Sequence, residues 1–188
     1  MVRSAFVSQE IIDRITHLVN EFDKRVQSAG SDKWGNQSPC EEWKARDVVA
    51  HVTNNLNRLS AGLKGQEAKE VGADEDIAVA WASAKDQFLQ TIPSADLSQN
   101  VPGPFGPMPA EQIIGRLIAT DVLVHTWGLA RATGGDERLD ADAVKGAHEG
   151  LKPMDAMIRM PGVMGPKIES PEGADAQTQF LNFLGRRT

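Results

Sequence analysis

PAEQIIGRLIATDVLVHTWGLARATGG, residues 109–135, is the longest and most apolar helical pattern in the chain, and its reading decides the fold. Pro109 suits a first turn, Glu111 favours the positive end of the helix dipole and Gly134 supplies a stop, so the pattern predicts a helix from near Pro109 to Gly134. At about 100° per residue, Ile114, Leu117, Ile118, Gly128 and Ala132 form the stripe that faces a core. Asp121 and His125 fall inside that stripe, one turn apart on the same side of the helix. An ionised carboxylate buried without a partner costs on the order of tens of kcal/mol by idealised Born arguments, so Asp121 needs a cation, a strong donor network or a proton. A metal ion would satisfy both side chains. The same Asp-x-x-x-His spacing also serves plain side-chain pairs at helix–helix contacts, so spacing alone leaves both readings open.

Working outward, four more helical patterns are separated by Gly/Pro clusters. Ile11, Ile15, Leu18, Phe22 and Val26 recur at three- and four-residue steps between about Ser4 and Ala29. After SDKWGNQSPCEEW, a second helix is expected from Ala45 to Leu63, burying Val48, Val52, Leu56, Leu59 and Leu63. A third spans about Asp74 to Thr91, with Ile77, Trp81, Phe88 and Leu89, and Pro93 stops it. The stretch VPGPFGPMP reads as irregular. A fifth helix runs from Asp140 to about Met160, with Pro153 expected to kink or break it, and the tail carries a short amphipathic end, QFLNFLGRR. Strand-like alternation is nearly absent apart from a short extended piece at Lys167 to Glu169. The expected fold is therefore all-α: a four-helix bundle with an extra C-terminal helical segment and an irregular tail, in one domain over residues 1–188.

Composition narrows the function classes. The 188 residues suffice for one hydrophobic core, and the formal net charge of -6, without a Lys/Arg-rich run, argues against a nucleic-acid partner. Cys40 is the only cysteine, which excludes an internal disulfide and a Cys-based metal cluster and fits a reducing compartment. No eighteen consecutive apolar residues occur, and the N-terminus lacks a continuous apolar run, so neither a membrane span nor a signal peptide is expected and the cytoplasm is the expected location. Nothing in the sequence separates a monomer from a homodimer.

On the second helix His51 lies at the edge of the buried face, with Asn55 and Arg58 following on the same side. If the second and fourth helices face one another, His51, Asp121 and His125 converge as metal ligands, a common construction in bundle cores. Two imidazoles and a carboxylate suit zinc, with nickel or iron as alternatives, and three ligands leave a position open for water or substrate. Taken alone, His51 also reads as a boundary histidine bonded to a carbonyl or carboxylate. Asn55 and Arg58 are the candidate cofactor-binding residues. Arg58 could grip a substrate carboxylate bidentately or simply form a surface salt bridge. Cys40 reads as a small buried hydrophobe, His17 as solvated opposite its helix's apolar stripe, and His148 as a packed or surface histidine.

Two blocks, SPCEEWKARDVVAHV at 38–52 and DVLVHTWGLARATGGDERLD at 121–140, resemble the DinB-like, mycothiol-dependent maleylpyruvate isomerase metal-binding domain family. Pro39, Cys40, Trp43, Arg46, Asp47 and His51 match its first motif, and Asp121, His125, Trp127, Leu129, Ala130, Ala132 and Gly134 its second; FLGR at 183–186 also fits. The resemblance covers most of the chain. It implies a four-helix bundle whose His, Asp/Glu, His metal triad falls on His51, Asp121 and His125, and a metal-dependent thiol S-transferase or isomerase that joins a mycothiol-type cosubstrate to a small electrophile. The alternative is a non-catalytic metal or small-ligand binding module of the same fold. No acid, base or nucleophile is assigned. Gly128 stands where the family usually has Asp after the motif's Trp, which removes an acceptor near the site, and Lys44 stands where it has Thr/Ser, which removes an N-cap worth about 1 kcal/mol.

Overall fold

The computed structural model describes residues 2–159 and 164–188 and is mostly helical, as expected. The chain divides into two compact units, Met1–Asp136 and Glu137–Thr188. The first is a bundle of four helices: α1 (Val2–Ser28), α2 (Ala45–Leu63), α3 (Ile77–Thr91) and the long α4 (Ala110–Thr133). α2 packs on α3 and α4, and α1 packs on α4 and α3. The stripe expected on α1 is buried from Ile15 through Leu18 and Phe22 to Val26, joined by Val19. On α2, Val48, Val52, Leu56 and Leu59 are buried as expected, Leu63 only partly. Phe22 of α1 meets Trp81 of α3 edge-on with ring centroids 4.7 Å apart.

The starts of α3 and α2 are set by capping, the first shifted from expectation and the second where expected. α3 begins at Ile77 rather than Asp74, because Asp76 is the cap: its carboxylate accepts from Ala78 and Val79 N–H. α2 starts at Ala45 although Lys44 offers no acceptor, because Asp47 closes its half of the capping box, accepting from the Lys44 backbone N–H at 2.8 Å.

α4 is not one uniform α-helix. It opens as α over Ala110–Gln112, winds as a π-helix over Ile113–Ile118 and returns to α over Ala119–Thr133, where Gly134 ends it at φ 76°. Within the π segment the Ala119 N–H reaches back five residues to the Ile114 carbonyl. The Gly115 carbonyl, which an α-helix would pair with Ala119, instead accepts from Arg14 Nη2 at 2.7 Å. The wider winding corrects the wheel: Ile113 joins Ile114 and Ile118 in the core, whereas Leu117 is only half-buried. From Val122 to Ala130 every residue is buried. This helix alone is long and apolar enough to cross a membrane among the described residues, with mean hydropathy 1.3, yet 78% of that window is buried inside the protein, as in a soluble core helix.

The stretch expected to be irregular carries a minimal antiparallel pair, β1 (Asn100–Val101) and β2 (Met108–Pro109), which leads into α4. No strand forms at Lys167 to Glu169; the Ile168 N–H bonds to the Asn182 carbonyl at 2.9 Å, and Lys167 pairs with Asp155. In the second unit α5 (Ala141–Leu151), capped by Asp140, packs on α7 (Ala176–Phe183), capped by Asp175. Pro153 breaks the fifth pattern as expected: α5 stops at Leu151, and α6 (Asp155–Ile158) follows a 3-10 turn. The expected end near Met160 lies outside the described residues. His148 packs beside Phe180 and Phe183, at 6.2 and 5.1 Å between ring centroids, and this burial lowers its pKa.

Candidate metal centre

The pairing of α2 with α4 brings the three candidate ligands together. Asp121 Oδ1 lies 2.9 Å from His51 Nε2 and 3.4 Å from His125 Nε2, and one atom from each residue can be chosen so that all lie within 4.8 Å of one another. Their side chains grade from 7% exposed at His125 through 22% at Asp121 to 31% at His51, so solvent reaches the cluster from the α2 side. Burial works to raise the Asp121 pKa, but the charge and hydrogen bond of His125, with those of His51, outweigh it and hold the carboxyl well below the usual carboxylate range.

The donor set passes a test of fit for a divalent ion. Zinc bonds of about 2.0–2.1 Å at tetrahedral angles place ligand atoms roughly 3.3 Å apart, and the two nitrogen-to-carboxylate distances bracket that spacing. Two imidazole nitrogens facing one carboxylate oxygen are the lone-pair donors that a divalent cation takes.

Around the triad, Trp43 is the residue that pattern reading undervalued. Its ring stacks on His125 at 5.7 Å and 23° and tilts against His51 at 4.8 Å, so one indole flanks both imidazoles. The loop that carries it curls around a single amide: Gln37 Nε2 lies within hydrogen-bond distance of the Ser38, Cys40, Glu41 and Trp43 carbonyls, at 2.9–3.2 Å. The only sequence signal for Trp43 was its place in the first motif. Cys40 sits half-buried in this loop, its carbonyl taken up by the turn.

Asn55 touches the cluster directly, with Nδ2 3.0 Å from His51 Nε2 and 3.0 Å from Asp121 Oδ2. Arg58 does not reach the ligands. Its Nε pairs with Glu70 at 2.8 Å and its Nη1 donates to Asn55 Oδ1 at 3.2 Å. Gly128 is buried, and a Cβ there would meet only Pro39 Cδ at 4.0 Å, so the Asp of the motif is missing where there is room for its first carbon.

Fold and site thus define a class: helical bundles with a two-histidine, one-carboxylate cluster suited to a divalent metal. Residues 15–130 match the family model described as the mycothiol maleylpyruvate isomerase N-terminal domain, and the chain belongs to that family. The match contains all three cluster residues. Two uncharacterized proteins of Mycobacterium tuberculosis, from strains CDC 1551 / Oshkosh and ATCC 25618 / H37Rv, are each 28% identical to this chain over 167 residues, which covers 88% of this chain and 91% of theirs. No solved structure matches the chain.

Proposed function

We propose that this protein binds one divalent metal ion, zinc or alternatively nickel, through His51, Asp121 and His125, and that it is a cytoplasmic thiol S-transferase or isomerase joining a mycothiol-type thiol to a small electrophile. The observation that carries the reading is the convergence of two Nε2 atoms on Asp121 Oδ1, within the residues that match the family. When bound, the ion would supply Lewis acidity that lowers the pKa of a thiol or water in the open coordination position. The residues supply the rest. Trp43 fixes the imidazole planes, the burial of His125 keeps water from one side, and the more exposed His51 edge, with Asn55 and Arg58 beyond it, is where substrate arrives. Arg58, 56% exposed, can exchange Glu70 for a substrate carboxylate while its Nη1 keeps the bond to Asn55.

Gly128 favours a second reading, a binding module without chemistry, because the acceptor that the motif places there is gone. Protein purified without chelator is expected to carry stoichiometric metal by elemental analysis. Metal-loaded protein mixed with mycothiol or bacillithiol and electrophilic acceptors then separates the readings. Turnover that His51→Ala abolishes supports the enzyme; stoichiometric metal without turnover supports the module. Protein that neither retains nor takes up an ion contradicts both.

A further inference from the structure

The two oxygens of Asp121 are used differently. Oδ1 faces both imidazole nitrogens, at 2.9 and 3.4 Å, whereas Oδ2 accepts from the Asn55 amide at 3.0 Å. The orientation of that amide is itself fixed. Arg58 Nη1 donates to Asn55 Oδ1, which leaves only the NH2 group to face the cluster, and the Arg58 guanidinium is held in turn by Glu70. Arg58 and Asn55 lie three residues apart on α2, so they share a helix face, while Glu70 comes from the segment between α2 and α3. The same segment is tied along α2 by Asn57 Nδ2 to the Lys69 carbonyl at 3.0 Å and by the Val71 N–H to Asn54 Oδ1 at 2.9 Å.

We propose that Asn55 is the positioning residue of the metal centre: its amide, oriented by Arg58 and Glu70, occupies Asp121 Oδ2 so that the carboxylate presents Oδ1 alone to the ion. This rests on the metal-binding reading above. The reason is in the donor inventory. A carboxylate with both oxygens free can swing to bidentate ligation and fill the position that a thiol or water needs, and a neutral N–H donor on Oδ2 opposes that swing without competing for the ion. The amide cannot keep its present contact with His51 Nε2 once that nitrogen gives its lone pair to a metal. Metal binding therefore leaves Asp121 Oδ2 as the sole cluster partner of the Asn55 amide. Asn55 thus acts on the ion through Asp121, and Arg58 through Asn55.

The test uses full-length protein, with zinc affinity measured by competition with a chromophoric chelator and with the visible d–d spectrum of the cobalt(II) form. Asn55→Leu keeps the side-chain shape and removes the donor. It is expected to weaken zinc binding about 10- to 100-fold. It is also expected to lower the cobalt d–d intensity, because a bidentate Asp121 raises the coordination number. Arg58→Ala, at an exposed position that spares the core, is expected to shift both readouts in the same direction but less, and Glu70→Gln less again. Melting of the metal-free proteins by circular dichroism checks that the fold is intact. A wild-type protein that binds zinc alongside Asn55→Leu and Arg58→Ala variants with wild-type affinity and cobalt spectrum would overturn the inference while leaving the metal site standing. A wild-type protein that binds no divalent ion removes the site and the inference together.

Discussion

Asp23 and Asp121 are both carboxylates at the edge of the bundle core, and the difference between their partners separates structure from chemistry. Asp23 Oδ1 accepts from Trp81 Nε1 at 2.8 Å and Oδ2 from Lys85 Nζ at 3.0 Å. Neither donor has a lone pair to give a metal, so that cluster ties α1 to α3 and does nothing else. Asp121 faces two imidazoles, which can donate a proton or a lone pair as circumstances require. Burial works to raise the pKa of Asp23, and the Trp81 and Lys85 bonds overcome it and lower the pKa below the ordinary carboxylate value. Because the folded pKa is depressed, this contribution to stability is present above the unfolded value near 3.9 and is lost as pH falls through the folded pKa. Asp23→Asn is expected to cost about 2 kcal/mol at neutral pH, since it removes the charge from the Trp81 bond and puts an NH2 donor against Lys85. Between neutral pH and a pH below the depressed folded pKa, the gap between wild type and variant should close as the wild-type carboxylate protonates. Urea unfolding at the two pH values measures it, and a gap that stays constant would show that Asp23 does not carry this acid sensitivity.

At the scale of elements, the sequence was legible wherever a helix shows one face to the core and another to water. α1 and α2 came through with their buried positions nearly complete, and Asp121 and His125 stood out because polar groups break an apolar pattern, whereas His51, at the edge of its helix's face, joined them through the first motif. α4 was legible as a helix but not in its winding. From Val122 to Ala130 the helix is buried all round, so the stripe read there does not mark off an exposed face, and a π turn leaves no mark in a periodicity taken at 100° per residue. The caps at Asp76 and the strand pair before α4 were missed because they depend on single side chains and on tertiary register rather than period. Trp43 and the Asn55–Arg58–Glu70 chain depend on a loop fold that no spacing encodes. The π segment gives a prediction of its own. Arg14 covers the Gly115 carbonyl released by the wider turn, so Arg14→Ala is expected to lower stability by about 0.5–1 kcal/mol. Zinc affinity should not change, because Asp121 and His125 lie on the regular α turns after Ala119. Denaturant midpoints and chelator competition test the two halves; unchanged stability would mean that the π turn holds without its cap.

For the whole molecule, the consequential fact is that the candidate ligands and the family match all fall within Met1–Asp136, while Glu137–Thr188 forms its own compact unit around Val144, Leu151, Phe180, Leu181 and Leu184. An ion that binds only the folded state stabilises it by mass action, about 2.7 kcal/mol at roughly a hundredfold excess over Kd. For a unit of this size that corresponds to roughly 5–10 °C in Tm. The ion can act directly only on the unit that holds its ligands. In scanning calorimetry, two units that melt separately should therefore give two transitions, of which zinc raises one and leaves the other fixed. Two units that melt together should give one transition that moves as a whole. In both cases His51→Ala should cancel the shift, because removing one of three ligands leaves too few to hold the ion against water. A zinc-dependent shift that survives in His51→Ala would place the ion elsewhere, and with it the chemistry proposed for α2 and α4.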